Sequence, residues 1–293
     1  MFADLHTHSF YSDGTNSPQE IISLAKARGI RALSLVDHDT VQGIPDFLSA
    51  GEKQGVEVIP GLEISTSIQG KRIHILGYHI DCENPFLAEF LSHISRARTE
   101  NTRMILDKLN QMNWLDYPWE RVRELNLGRA WVHSSHVFRA MMQDGFYADW
   151  DQWMDFYYRY FGKSSPAYLD IEGFTPENAI DVIIKAQGIP VLAHPKLIGD
   201  DEQIRPLVEH GLKGIEVFYP AHDAADVIKY GEMAGKYGLV ITGGTDWHGK
   251  GTEWKVNLGD CGIDAALFTR LKTFRLQEEK TSEKGKGKKG SSC

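Results

Sequence analysis

A chain of 293 residues, 42% hydrophobic and 25% charged, holds enough apolar material for one large domain or a domain with an insertion. Its formal net charge of -8 disfavours a long nucleic-acid track, which needs a basic surface to release counterions from phosphates, and leaves short anionic substrates open. Cys82, Cys261 and Cys293 form no CxxC pair, no apolar run reaches the ~18 residues of a membrane span, and no signal-type segment precedes the first strand, so a soluble cytoplasmic protein without a disulfide framework or thiolate zinc site is expected.

The chain opens as an apolar strand in which His6 and His8, one residue apart, project from the same side, because strand side chains alternate faces. That is metal-ligand spacing. Ser12-Asp13-Gly14 follow. Ser17-Pro18-Gln19-Glu20 predicts a helix start, with Ser as N-cap, Pro at the first helical position and Glu closing a capping box. Ile21, Ile22, Leu24 and Ala25 give its buried stripe, and Gly29 ends it. A strand over 32–36 runs into Asp37-His38-Asp39; a helix over 44–54 leads to a strand over 56–59 and to Gly61-Leu62-Glu63. Strand, polar residue and helix recurring in this order predict βα units around a parallel sheet, whose active sites assemble at the carboxyl ends of the strands.

Residues 64–67, a turn at Gln69-Gly70 and a return over 72–79 predict a hairpin carrying His74 and His79. From Pro85 to about Phe161 the pattern turns helical, through Leu87, Phe90, Leu91, Ile94, Ile105, Leu109 and Met112, which predicts an inserted helical subdomain. Residues 81–164 form that insertion, and 1–80 with 165–275 form the main domain. The rings of Trp150, Trp153, Phe156, Tyr157, Tyr160 and Phe161 are expected to pack the insertion against the main domain rather than to stack on bases. Thr175-Pro176 opens a helix to 186, a strand over 189–193 delivers His194, and a helix runs to His210. A strand over 214–218 and a helix over 224–237 lead to a strand over 239–242 that delivers Gly243-Gly244-Thr245-Asp246-Trp247-His248. Residues 276–293, rich in Lys, Gly and Ser, read as a disordered basic tail.

Gathering the polar residues at strand ends gives His6, His8, Asp13, His38, Glu63, His74, His194, Asp246 and His248, all imidazole or carboxylate. A single one, such as His74, reads as an ordinary structural residue. The spacing of His6 and His8, repeated by Asp246 and His248, makes the set a metal site suited to Mn, Fe or Zn. The ligands exceed what one ion needs and Glu63 can bridge two, so two or three divalent ions are expected. Asp4, Asp37 and Asp39 read as groups that orient imidazoles, or as caps.

These motifs, with Gly61-Leu62-Glu63-Ile64-Ser65 and Ala193-His194-Pro195, resemble the polymerase and histidinol phosphatase (PHP) superfamily of metal-dependent phosphoesterases. Similarity is greatest to a subgroup with a helical insertion that acts on nucleoside 3′,5′-bisphosphates and on the 5′ ends of short oligonucleotides. The resemblance implies an α/β fold, a distorted seven-stranded (β/α) barrel holding a trinuclear site. His6, His8, Glu63 and Asp246 would bind one ion, Glu63, His74 and His194 a second, and Asp13, His38 and His248 a third, with Mn²⁺ the implied metal. Asp13 stands where some members carry His.

The implied reaction is attack of metal-activated hydroxide on a phosphomonoester of a small nucleotide-like substrate of the nucleoside 3′,5′-bisphosphate type. The alternatives are a 5′-3′ exonuclease on short RNA and a non-catalytic metal-binding regulatory module. In the similar subgroup the insertion's first helix grips a second phosphate, and Arg98 and Asn101 match those positions. The subgroup also places an Arg two residues before a His; here Ser134 precedes His136, leaving Arg129, His133 or Arg139 to replace it. His222 and Lys196, in strand-end loops, complete the expected substrate contacts. The expected partners are a small phosphorylated molecule or a short oligonucleotide, with no membrane and no long duplex.

Overall fold

Seven strands form one sheet in chain order: β1 (Ala3–Thr7), β2 (Ala32–Leu35), β3 (Glu57–Ile68), β4 (Lys71–Tyr78), β5 (Ile189–Leu192), β6 (Gly214–Phe218) and β7 (Val240–Gly243). The computed structural model describes residues 2–68, 70–249 and 255–274; the basic tail expected from 276 lies outside them. All neighbouring strands run parallel except β4, which is antiparallel to both β3 and β5. β2 and β5, buried at every residue, are apolar almost throughout, as strands covered on both faces must be.

The sheet curls until β1 meets the chain beyond β7. His8 N donates to Trp247 O (2.9 Å), Trp247 N donates to His6 O (3.3 Å), and at the other end of β1 Ala3 N donates to Ile263 O (3.0 Å). The seven-stranded barrel is thereby nearly closed. Gly244 sits at the seam, where a Cβ would collide with the backbone nitrogen and Cβ of His6. Asp4, buried in β1, accepts hydrogen bonds from Thr245 N (3.0 Å), Thr245 Oγ1 (2.6 Å) and Gly259 N (2.9 Å). It therefore braces the seam and orients no imidazole.

Helices α1 (Pro18–Ala27) and α2 (Ile44–Gln54) follow β1 and β2. α1 begins with the expected capping box, in which Glu20 N donates to Ser17 Oγ and Ser17 N to Glu20 Oε2. The strands expected over 56–59 and 64–67 are one, β3. Its first half pairs with β2 and its second with β4, so Glu63 lies in mid-strand, just past the point where β2 ends. His74 lies likewise within β4, opposite Ser65. Both are at the barrel rim without being at a strand end.

Between β4 and β5 come α3 (Pro85–Gln111), α4 (Trp119–Leu125), α5 (Ser134–Gln143), α6 (Trp153–Phe156) and α7 (Pro176–Lys185). α3 works as an arm. Leu87, Leu91 and Ile94 pack in the barrel-side core with Ile180 and Ile183 of α7, whereas Ile105, Leu106 and Leu109 belong to a separate core with Val137 and Phe138. Met112 stays 40% exposed, because the helix ends at Gln111 beyond that core. Most of the aromatic run packs inside the insertion, where Trp150, Trp153 and Phe156 surround Phe138 at centroid distances of 5.3, 5.6 and 5.1 Å; Tyr157 reaches the barrel, accepting a hydrogen bond from Arg72 of β4. A π-turn over Tyr157–Phe161 lets Tyr160 and Phe161 both turn inward. α8 (Ile204–His210) is shorter than expected, preceded by two 3₁₀ turns; α9 (Ala224–Tyr237) and α10 (265–274) complete the helices among the described residues.

Gly244→Ala should lower the unfolding free energy by about 3 kcal/mol, the upper range for forced overpacking. Gly235→Ala in α9, where a Cβ meets nothing within 4 Å, should leave stability equal or higher. Denaturant titration of both variants checks this; equal stabilities would show that the seam tolerates a side chain.

Candidate metal centre

The buried floor of the barrel mouth gathers four acceptor atoms. His6 Nε2 lies 3.1 Å from Glu63 Oε2 and 3.2 Å from Asp246 Oδ1, and His8 Nε2 lies 3.2 and 3.0 Å from the same two oxygens. His6 Nδ1 donates to Glu216 Oε1 (2.9 Å), a bond that turns the Nε2 lone pair toward the carboxylates. Neither ring nitrogen of His8 nor Asp246 Oδ1 makes a directed hydrogen bond. Nitrogens and carboxylate oxygens converging in this way call for positive charge between them, a shared proton or a cation.

The ionisation balance shows the same demand. Burial alone would lower His8, yet the contacts with Asp246 and Glu63 hold it up at about 10. His6, against the same burial, is raised by Glu216, Asp246 and Glu63. Despite burial, which favours the neutral acid, the surrounding imidazoles hold Glu63 and Asp246 well below the usual carboxylate range. A divalent cation fits this donor set, since it supplies the charge that protons supply otherwise.

Two further groups adjoin the first. Glu63 Oε1 receives His74 Nδ1 at 2.9 Å and His194 Nε2 at 3.1 Å. Asp13 Oδ1 lies 3.3 Å from His248 Nε2 and Asp13 Oδ2 lies 3.9 Å from His38 Nε2, with His8 Nδ1 3.9 Å from Asp13 Oδ1. His248 Nδ1 donates to the Asp246 carbonyl (2.8 Å), which leaves Nε2 facing Asp13. Glu63 Oε2 also lies 3.4 Å from His38 Nδ1, so His38 joins both groups. All nine residues expected as ligands thus come together, Glu63 and His74 from within strands. Three residues at the rim, Asp39, His194 and Asp246, have left-handed backbones with φ of 53°, 27° and 54°, strain that non-glycine residues bear only where the surroundings over-determine them.

Glu216 is the residue that the sequence pattern did not point to. Fully buried in β6, it joins His6 Nδ1 to the backbone N of His194 (2.8 Å). Its signal was a lone carboxylate inside the apolar run Gly214-Ile215-Glu216-Val217-Phe218, a position that only a buried partner can justify. Asp37 and Asp39 touch no imidazole either. Asp37 accepts Ser9 N, Ser9 Oγ and Ser12 Oγ at 2.6 to 2.7 Å, and Asp39 accepts Ser65 N (3.0 Å) and pairs with Arg98 Nε (2.5 Å).

Over this floor lies a cavity of about 1010 Å³, walled on one side by Asp13, His38, His74, His194, Asp246 and His248 and on the other by the insertion. Arg98 lines it, stacked over Trp131 at 5.4 Å, and so do Asn101, His133 and Ser134. Asn101 Nδ2 donates to Leu169 O (3.0 Å). His136, Lys196 and His222 do not line it. His136 is turned to the carbonyl of Ser12 (2.7 Å); Lys196 is taken by Asp226 (2.5 Å); His222 donates to Val217 O (2.9 Å) and packs on Tyr230.

Comparison with known proteins agrees with this geometry. The sequence profile of the PHP domain matches residues 4–172. The chain is 32% identical over 252 residues to the phosphoribosyl 1,2-cyclic phosphate 1,2-diphosphodiesterase of Eggerthella lenta, covering 85% of this chain and 95% of that one. It is 30% identical over 266 residues to the 3′,5′-nucleoside bisphosphate phosphatase of Chromobacterium violaceum, covering 85% and 87%. Among solved structures, one assigned as a metal-dependent phosphoesterase from Bifidobacterium adolescentis superposes with a TM-score of 0.82 at 25% identity, over 92% of this chain and 95% of that one.

Because Glu216 fixes the His6 ring, Glu216→Gln should weaken divalent-metal binding by about 10–100-fold while the protein stays folded. The amide would turn a donor toward either His6 Nδ1–H or His194 N–H. Calorimetric titration with Mn²⁺ measures it; unchanged affinity would remove Glu216 from the account.

Proposed function

The chain belongs to the PHP domain family of metal-dependent phosphoesterases, and on that premise we propose that it removes phosphate from a small nucleotide-like ester, a pentose that carries a second phosphate. The observation that carries this reading is the convergence of His6, His8, Glu63 and Asp246 beneath a cavity of about 1010 Å³ with a guanidinium on its wall. The named substrates of the two relatives, one a phosphoribosyl cyclic phosphate and the other a nucleoside bisphosphate, share that pentose with two phosphates. A cavity of this size sits at the top of the range for small-ligand sites, about 300–1,000 Å³.

Two or three divalent ions, Mn²⁺ by resemblance, would be held as the sequence implied. His6, His8, Glu63 and Asp246 would take one, Glu63 with His74 and His194 a second, and Asp13, His38 and His248 a third. Such ions supply Lewis-acid charge to the phosphoryl oxygens and activate water as the nucleophile. The chain's own groups do the positioning. Glu216 keeps the His6 ring in register, and Asp39 holds Arg98 on the cavity wall, where its remaining donors can meet a phosphate. Trp131 Nε1 donates to the His38 carbonyl (2.9 Å), tying the insertion to the metal floor. Residues 81–164 would then select the substrate presented to a barrel of residues 1–80 and 165–275. No helix among the described residues is long and apolar enough to cross a membrane, and the free thiols of Cys82 and Cys261 support a reducing, cytoplasmic setting.

Product analysis with Mn²⁺-loaded protein tests the reading on nucleoside 3′,5′-bisphosphates, pentose cyclic phosphates and 5′-phosphorylated short RNA. The expected result is phosphate released from a doubly phosphorylated pentose, lowered about a thousandfold in Asp246→Asn, which corresponds to roughly 4 kcal/mol of lost stabilisation. Sequential mononucleotides from RNA would instead assign the exonuclease, and no product from the whole panel would overturn the proposal.

A further inference from the structure

Asp13 is the expected ligand farthest from any strand, six residues past the end of β1. It lies in the irregular segment between Thr7, where β1 stops, and Pro18, where α1 starts. A carboxylate on such a segment can meet His38 and His248 only if the backbone beneath it is held. The barrel holds part of it through Asp37, which accepts the donors of Ser9 and Ser12.

The insertion holds the rest, and does so through carbonyls. Arg129 donates to Phe10 O and, at 2.8 Å, to Ser12 O; His136 Nε2 donates to Ser12 O at 2.7 Å; Arg139 donates to Asp13 O and Gly14 O, both at 2.9 Å. The His136 tautomer is set by its own neighbour, since Nδ1 accepts from His133 N (2.9 Å) and Nε2 is left to carry the proton. Among the described residues neither Arg129 nor Arg139 forms an ion pair with a carboxylate, so their donors are committed to one short stretch of backbone more than a hundred residues away in sequence.

Peptide N–H and hydroxyl groups of the segment meet an anion from the barrel, and its carbonyls meet donors from the insertion. That polarity matches the dipoles of the peptides on both sides. Arg129 and Arg139, candidates in the sequence to replace the guanidinium absent at Ser134, therefore have another use.

We propose that Arg129, His136 and Arg139 are positioning residues of the metal centre: by fixing the backbone of residues 10–14 they hold the Asp13 carboxylate against His38 and His248, so that the helical insertion completes an ion site. The inference rests on the metal-centre reading above. It assigns the insertion a second task, distinct from lining the substrate cavity. Because α5 carries both Ser134 on the cavity wall and His136 and Arg139 on the segment, the two tasks share one helix.

The test is calorimetric titration of the full chain, stripped of metal with a chelator, using Mn²⁺ alone. In Arg139→Met one ion per chain should bind about 10–100-fold more weakly while the others keep their affinity within about twofold. Asp13→Ala should show the same loss, and the double variant should be no worse than Asp13→Ala, because both act on one ion. Leu109→Ala, which opens a void in the insertion core, should lower stability and leave the titration unchanged. If Arg139→Met does not fold, Arg139→Lys, with fewer donors, should give an intermediate loss. Wild-type binding with every ion retained in the Arg139 variants, or the same loss in Leu109→Ala, overturns the inference alone. A wild-type chain that binds no Mn²⁺ overturns it together with the reading on which it rests.

Discussion

One buried carboxylate organises the molecule. Glu63 presents Oε2 to His6, His8 and His38 at 3.1, 3.2 and 3.4 Å, and Oε1 to His74 and His194 at 2.9 and 3.1 Å. A single anion cannot satisfy five imidazoles unless cations or protons lie between them. Packing these groups together without such charge would cost far more than their contacts return. The barrel mouth is therefore built as a place for positive charge, and the chemistry follows from what that charge is.

The strands serve this arrangement at visible expense. β3 runs on past its partner β2 so that Glu63 reaches the axis of the mouth, and β4 reverses direction so that His74 returns to the same level. The chain just past β7 gives up a side chain at Gly244 to let His6 approach, while Asp4 and Thr245 lock the seam beneath it. Left-handed backbones at Asp39, His194 and Asp246 add strain at the same rim. Such concessions are tolerable because large apolar cores surround the barrel, and α3 extends that support to the insertion.

Most of this could be read from the chain because its signals are local. His6 and His8 declare themselves by a spacing that shares one face of an apolar strand, Asp246 and His248 by following one, and α1 declares its start through Ser17 and Glu20. What could not be read depends on distant pairings. Glu216 looks like an odd carboxylate until β6 is placed beside β5, whereupon it bridges His6 and His194. Lys196 and His222 follow strands as the ligands do, but ion pairing with Asp226 and packing on Tyr230 turn them elsewhere. The aromatic run gave its helical spacing correctly and concealed its target, because only the fold reveals Phe138 at its centre.

The central claim is that Glu63 holds cations at the barrel mouth, and metal analysis of the chain purified without chelators tests it most directly. Elemental analysis should find two or three divalent ions per chain in the wild type and a loss of most of them in Glu63→Gln, with the fold unchanged by circular dichroism. A wild-type chain free of divalent metal, or a Glu63→Gln variant with the full complement, would contradict the account.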